Sequence, residues 1–104
     1  MKFGLSSQNY ELVLKLAVRP LQGFSAKVYA FGSRVRGSHH PFSDLDLIFD
    51  DDVSNQKIPL SVISEIRENL EESSLPIKVD LVRKSELAKS YLSSVAKEMV
   101  LIQD

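Results

Sequence analysis

Residues 44–49 read DLDLIF, and this alternation constrains the fold more than any other feature of the chain. Side chains of a β-strand point to opposite faces in turn. Leu45, Leu47 and Phe49 therefore share one face, and Asp44 and Asp46 share the other, about 6.5–7 Å apart along the backbone. Turning two unpaired carboxylates into a core would cost several kcal/mol per charge. The segment thus asks for a sheet with its leucine face packed and its aspartate face open.

The remaining elements fit around such a sheet. Tyr10, Val13, Leu14 and Ala17 recur at helical spacing, with Ser6 and Ser7 as caps, which predicts a helix over Ser7 to Arg19 that stops before Pro20. KVYAF, Lys27 to Phe31, is a short β-branched and aromatic run closed by Gly32, and IKVDLV, Ile77 to Val82, is another strand. Leu60, Ile63, Ile66 and Leu70 mark a second helix behind Pro59. Leu87, Tyr91, Val95, Met99 and Ile102 predict a third, from Ser85 to Ile102. Asp50, Asp51 and Asp52, followed by Ser54 and Asn55, are expected to form a solvated polar connection. The order implies an α/β (α+β) architecture: a small mixed sheet flanked by helices, in one domain spanning residues 1–104.

Composition narrows the chemistry. Thirteen Lys and Arg against fourteen Asp and Glu give a net charge of -1, so no extended basic surface for nucleic acid is expected. The chain has no cysteine, which leaves only oxygen and nitrogen ligands for a metal and suits a reducing compartment. No stretch approaches the ~20 apolar residues of a membrane span, and the expected location is the cytoplasm.

Within this frame Asp80 stands out, a carboxylate in an otherwise apolar strand, on the face opposite Ile77, Val79 and Leu81. If its strand neighbours the one carrying Asp44 and Asp46, three carboxylates share a patch where a divalent cation offsets their repulsion. An all-oxygen set points to Mg²⁺ or Mn²⁺ rather than zinc, and such ions commonly bind substrate phosphates as well. Gly32 and Ser33 follow a strand directly and open a turn that Gly37 closes, so their N–H groups and the Ser33 hydroxyl can meet a phosphate. Arg34 or Arg36 could add charge to a triphosphate. His39 and His40 are adjacent in a loop and are not expected to converge on one ion. Phe31, Phe42 and Phe49 are expected in the core rather than as a base-stacking platform, although the loop position of Phe42 suits either.

Gly32-Ser33, ten intervening residues, then Asp44-Leu45-Asp46, with Asp80 on a later strand, resembles the G-S-x₁₀-D-x-D signature of the DNA polymerase β-like nucleotidyltransferase superfamily. The string GSRVRGSHHPFSDLDL is similar to the minimal nucleotidyltransferase (MNT) branch, where GSRARG followed by SDxDL is typical; here Val35 replaces the usual Ala. The resemblance implies a polymerase β-like nucleotidyltransferase fold and Mg²⁺-dependent transfer of a nucleoside monophosphate. It implies that Asp44, Asp46 and Asp80 bind metal and perform catalysis, and that Gly32, Ser33 and Arg36 bind nucleotide, with ATP as donor.

MNT proteins are often paired with a helical HEPN-domain toxin, which family members neutralise as antitoxins by adenylylating a tyrosine. The resemblance therefore implies a HEPN-type partner as acceptor, in a hetero-oligomer or beside a homodimer. Two other readings stay open from the residues: nucleotidylation of a small-molecule hydroxyl at a dimer interface, and a non-catalytic antitoxin that neutralises its partner by binding alone.

Overall fold

The computed structural model describes residues 2–52 and 57–104. Four strands form one mixed sheet in the order β3-β2-β1-β4: β1 is Lys27–Phe31, β2 Leu45–Asp50, β3 Val79–Arg83 and β4 Val100–Leu101. β1 pairs antiparallel with both β2 and β4, whereas β2 and β3 run parallel, joined by a crossover containing helix α4, Leu60–Glu71. A parallel pair cannot be closed by a hairpin, which is why a helix intervenes.

The leucine face of β2 packs as its sequence requires, whereas the face carrying Asp46 is open only at its start and is covered at Ile48. Leu45, Leu47 and Phe49 join Val28, Ala30 and Leu81 in the main core, together with Val13, Ala17 and Leu21 of the N-terminal helix and Ile63, Ile66 and Leu70 of α4. Burying each of the large aliphatic side chains contributes roughly 1.5–3 kcal/mol. On the other face a smaller cluster forms from Phe31, Ile48 and Val95, flanked by Val82, Leu87, Leu92 and Met99. Helix α5, Lys89–Val95, supplies Val95 and Leu92 to this cluster.

The N-terminal helix extends past its expected stop. It begins as α1, Ser7–Val13, where Ser6 Oγ accepts from the Asn9 N–H at 3.1 Å, and ends as α2, Arg19–Gln22, with Pro20 inside its first turn. Between them Leu14–Val18 widens into a π-helical turn, in which the Arg19 N–H donates to Leu14 O. This widening absorbs the disruption of the i→i−4 ladder that a proline causes, and the continued helix buries Leu21 completely.

The predicted C-terminal helix is shorter than expected. A 3₁₀ turn at Lys84–Glu86 precedes α5, and the chain then turns and enters the sheet as β4. Ala30 faces Val100, Tyr29 faces Leu101, and the Ile102 N–H donates to Val28 O at 2.8 Å. The run Met99-Val100-Leu101-Ile102 satisfies either a helical or a strand pattern, and the free edge of β1 decides it by supplying hydrogen-bond partners. Val95 and Ile102 consequently pack on opposite faces of the sheet, and Tyr91 is exposed. Leu60 and Phe42 are exposed as well, while Phe31 and Phe49 are buried.

Of the acidic run only Asp52 is solvated as expected; Asp50 and Asp51 are buried. Asp50 accepts from the Asp52 N–H at 3.0 Å and from Lys84 Nζ at 3.3 Å. The buried Asp51 accepts from the Ile58 N–H at 3.0 Å and from Arg83 Nε at 3.2 Å. Arg83 also donates to Ile58 O at 2.6 Å and lies over the Phe49 ring at 5.2 Å. Ser54 and Asn55 lie outside the described residues. Among the described residues no helix is long and apolar enough to cross a membrane.

Arg34 corrects another expectation. Rather than facing a triphosphate, it is buried, and it donates to Phe3 O at 2.8 Å, Ser43 O at 2.9 Å and Pro41 O at 3.1 Å. Its guanidinium thus ties the N-terminus to the loop that leads into β2. Arg34→Ala should lower the unfolding free energy by about 2–4 kcal/mol, since three carbonyls lose a charged donor, and Arg34→Lys should restore little because an ammonium lacks the planar fork. Urea denaturation of both variants measures this; full stability of the lysine variant would show that the fork is dispensable.

Candidate active site

The site lies where β1 ends and β2 and β3 begin. In the sheet register Asp46 is opposite Phe31 on one side and opposite Asp80 on the other. Neighbouring strands are about 4.8 Å apart, so parallel pairing sets the two aspartates side by side on the same face. Asp80 is exposed on the edge strand, whereas Asp46 is half-buried. Asp44 precedes β2 and is exposed.

Gly32 closes β1 against Asp46. Its φ of +87° is a conformation that L side chains rarely adopt, and a Cβ there would overlap Asp46 Oδ2. The glycine is therefore required twice, by its backbone and by the carboxylate beside it. Ser33–Arg36 forms the short helix α3, capped at its start by Gly32 and stopped by Gly37 in the left-handed region at φ 80°. Ser33 is the first helical residue. Arg36 emerges on the solvent side of this turn, opposite in role to the buried Arg34.

The electrostatics of Asp46 reflect this crowding. Burial first, then the charges of Asp80 and Asp44, push its carboxyl above the ordinary range; Arg36 opposes them, and Glu98 adds to the rise. A cation placed among these groups would favour the ionised form. The donor set is hard oxygen, which suits Mg²⁺ or Mn²⁺. Among the described residues no three Asp, Glu, His or Cys side chains gather into a ready-made metal cage. This still accords with a magnesium-type ion, which takes one or two carboxylates and completes its shell with water and phosphate.

A cleft of about 520 Å³ runs along the β3 edge between Leu70, Leu75 and Ile77, and Asp80 is part of its lining. The histidines stay outside the site: His39 lies against Gly4, and His40 is exposed. One residue at the site was not legible in the sequence. Glu98, in the turn between α5 and β4, accepts from the Gly32 N–H at 3.2 Å and from Arg36 at 3.1 Å. It falls within the expected C-terminal helix, and nothing in its local sequence distinguishes it from a solvated helix position.

The raised affinity of Asp46 for its proton carries a stability prediction. A carboxyl whose folded-state pKa exceeds its unfolded value destabilises the fold once ionised, so the penalty is present at neutral pH and disappears as pH falls below the unfolded value. Asp46→Asn should therefore raise the thermal midpoint at pH 7 in metal-free buffer, with the gain shrinking toward pH 3. Scanning calorimetry across that range tests it; a lower midpoint at pH 7 would make Asp46 a structural partner instead.

Comparison with known proteins shows the family and the fold of the chain. Over 77 residues the chain is 34% identical to the probable protein adenylyltransferase MntA of Haemophilus influenzae, a match covering 74% of this chain and 65% of that protein. The chain thus spans less than two-thirds of that relative's length. A crystal structure of a toxin–antitoxin MntA–HpeT mutant superposes with a TM-score of 0.62 at 22% identity, covering 95% of this chain and 72% of that one, and so shares the fold. The nucleotidyltransferase domain model matches residues 13–102, which include the Gly32 turn, both strand aspartates and the segment carrying Glu98. The chain belongs to the nucleotidyltransferase domain family.

Proposed function

We propose that this chain transfers AMP from ATP to a protein hydroxyl, a tyrosine of a HEPN-type toxin, and thereby acts as the antitoxin of that partner. The observation that carries the reading is the register: Asp46 pairs with Asp80, and Gly32 abuts Asp46. A nucleotide-handling turn and a carboxylate pair in contact are what a phosphoryl-group transfer needs, since its catalysis rests mainly on positioning and charge. The Haemophilus relative, named a probable protein adenylyltransferase, and the MntA–HpeT complex support a protein acceptor over a small molecule.

In this reading Gly32, Ser33 and Arg36 hold the triphosphate, and Asp44, Asp46 and Asp80 would hold Mg²⁺ or Mn²⁺. The bound ion would supply neutralisation of phosphate charge. The cleft along β3 gives the acceptor segment a route to Asp80. There Asp80 accepts the proton of the attacking tyrosine hydroxyl while the tyrosine oxygen bonds the α-phosphorus and the bond from that phosphorus to the leaving pyrophosphate breaks. A cytoplasmic location accords with an ATP donor and a chain lacking cysteine.

The test is to incubate the full chain with a co-purified helical partner, Mg²⁺ and ATP labelled at the α-phosphate, and to follow the intact mass of the partner. We expect the partner to gain AMP, and Asp46→Asn or Asp80→Asn to slow the transfer by roughly 10²- to 10⁴-fold while the chain stays folded. If both variants neutralise the partner as well as the parent chain does, with no label transferred, the protein acts by binding alone. Label appearing on small hydroxyl compounds, and never on protein, would overturn the protein acceptor.

A further inference from the structure

The backbone N–H of Gly32 and the guanidinium of Arg36 are both engaged by one side chain of the chain itself. Glu98 Oε1 accepts from the Gly32 N–H at 3.2 Å, and both of its oxygens accept from Arg36 Nη1 at 3.1 Å. A backbone N–H beside a guanidinium is a seat for an oxyanion, and carboxylate and phosphate oxygens compete for it on similar terms. We propose that Glu98 is a built-in stand-in for a nucleotide phosphate, seated on Gly32 and Arg36 in the unliganded chain and displaced when the triphosphate arrives. The inference rests on the reading that Gly32 and Arg36 hold that triphosphate.

Three features favour displacement over a fixed role. First, if Glu98 served only to orient Arg36, its bond to Gly32 would be superfluous, because a backbone N–H needs no orienting. Second, both groups have room to move: the Glu98 side chain retains 23% exposure and that of Arg36 54%. Third, the backbone of the turn is anchored independently, with the Glu98 and Met99 N–H groups donating to Val95 O at 3.0 and 3.1 Å. The carboxylate can therefore swing out by side-chain rotation without disturbing β4 or α5. Its departure also takes a negative charge away from the entering phosphates. The seat is thus kept satisfied without ligand, at a cost in apparent affinity set by how often Glu98 leaves it.

Two substitutions separate this from a general charge effect. Glu98→Gln keeps the reach and removes the charge; Glu98→Asp keeps the charge and shortens the reach to Gly32. Calorimetric titration of each full-length variant with ATP in the presence of Mg²⁺ should show tighter binding for both, by roughly threefold to tenfold, the range expected when a partly exposed competitor is removed. Tighter binding by the glutamine variant alone would reduce the effect to simple repulsion and overturn the proposal. Weaker or unchanged binding by both, with the parent chain binding ATP, would make Glu98 a positioning residue for Arg36 or give it no role, and would leave the triphosphate site standing. Absence of ATP binding by all three proteins would overturn the triphosphate reading together with the proposal.

Discussion

Two like charges set side by side by strand register are the constraint around which this fold is organised. Asp46 and Asp80 are partners in the parallel pairing of β2 with β3, and their repulsion, with partial burial of Asp46, works against folding. The rest of the sheet supplies the compensation. Leu45, Leu47 and Phe49, alternating with the aspartates, fill the main core, so the strand that carries the charges is also among the most deeply buried. Shifting β2 by one residue would bring its carboxylates into that core and its leucines out of it. The core therefore holds the register, and the register holds the site.

The polar groups around the site divide into those that build and those that remain available. Arg34 and Arg36, two residues apart on one helical turn, face opposite ways: the first is committed to three carbonyls of the chain, the second to an exchangeable pair with Glu98. The acidic residues divide in the same way. Asp50 and Asp51 are committed to Lys84, Arg83 and backbone N–H groups, whereas Asp80 is exposed and Asp46 has like-charged neighbours. Among the described residues Asp46 and Asp80 are thus left without a cationic partner of the kind that Lys84 and Arg83 give Asp50 and Asp51, and in the proposed reading that is where a cation would bind. The chain has many acidic residues, and the pattern of their partners distinguishes the roles.

What could be read from the sequence follows the range of the interactions. Strands β1, β2 and β3 and helix α4 were legible because alternation and helical periodicity are local, and Gly32 and Gly37 mark turns by their own backbone freedom. The pairing of Asp46 with Asp80 was legible only as a condition, that their strands be neighbours, since register depends on distant packing. Several features were not legible. The helix passes Pro20 through a π-turn because Leu21 has a core to reach, β4 forms because β1 has an edge to fill, and Arg34 is buried because Phe3 and the loop before β2 converge on it. Glu98 escaped for the same reason as β4: its place beside Gly32 exists only once the C-terminal segment turns back onto the sheet.

The claim that Asp46, Asp80 and the Gly32 turn form one metal and nucleotide site is tested most directly by paramagnetic broadening of backbone amide resonances. With ATP and substoichiometric Mn²⁺, the account predicts that the signals of residues 32–33, 44–46 and 79–81 broaden first, and that Asp46→Asn abolishes the effect. Broadening centred on Asp50, Asp51 and Asp52 instead, or broadening at 44–46 that persists in the Asp46→Asn chain, would contradict it.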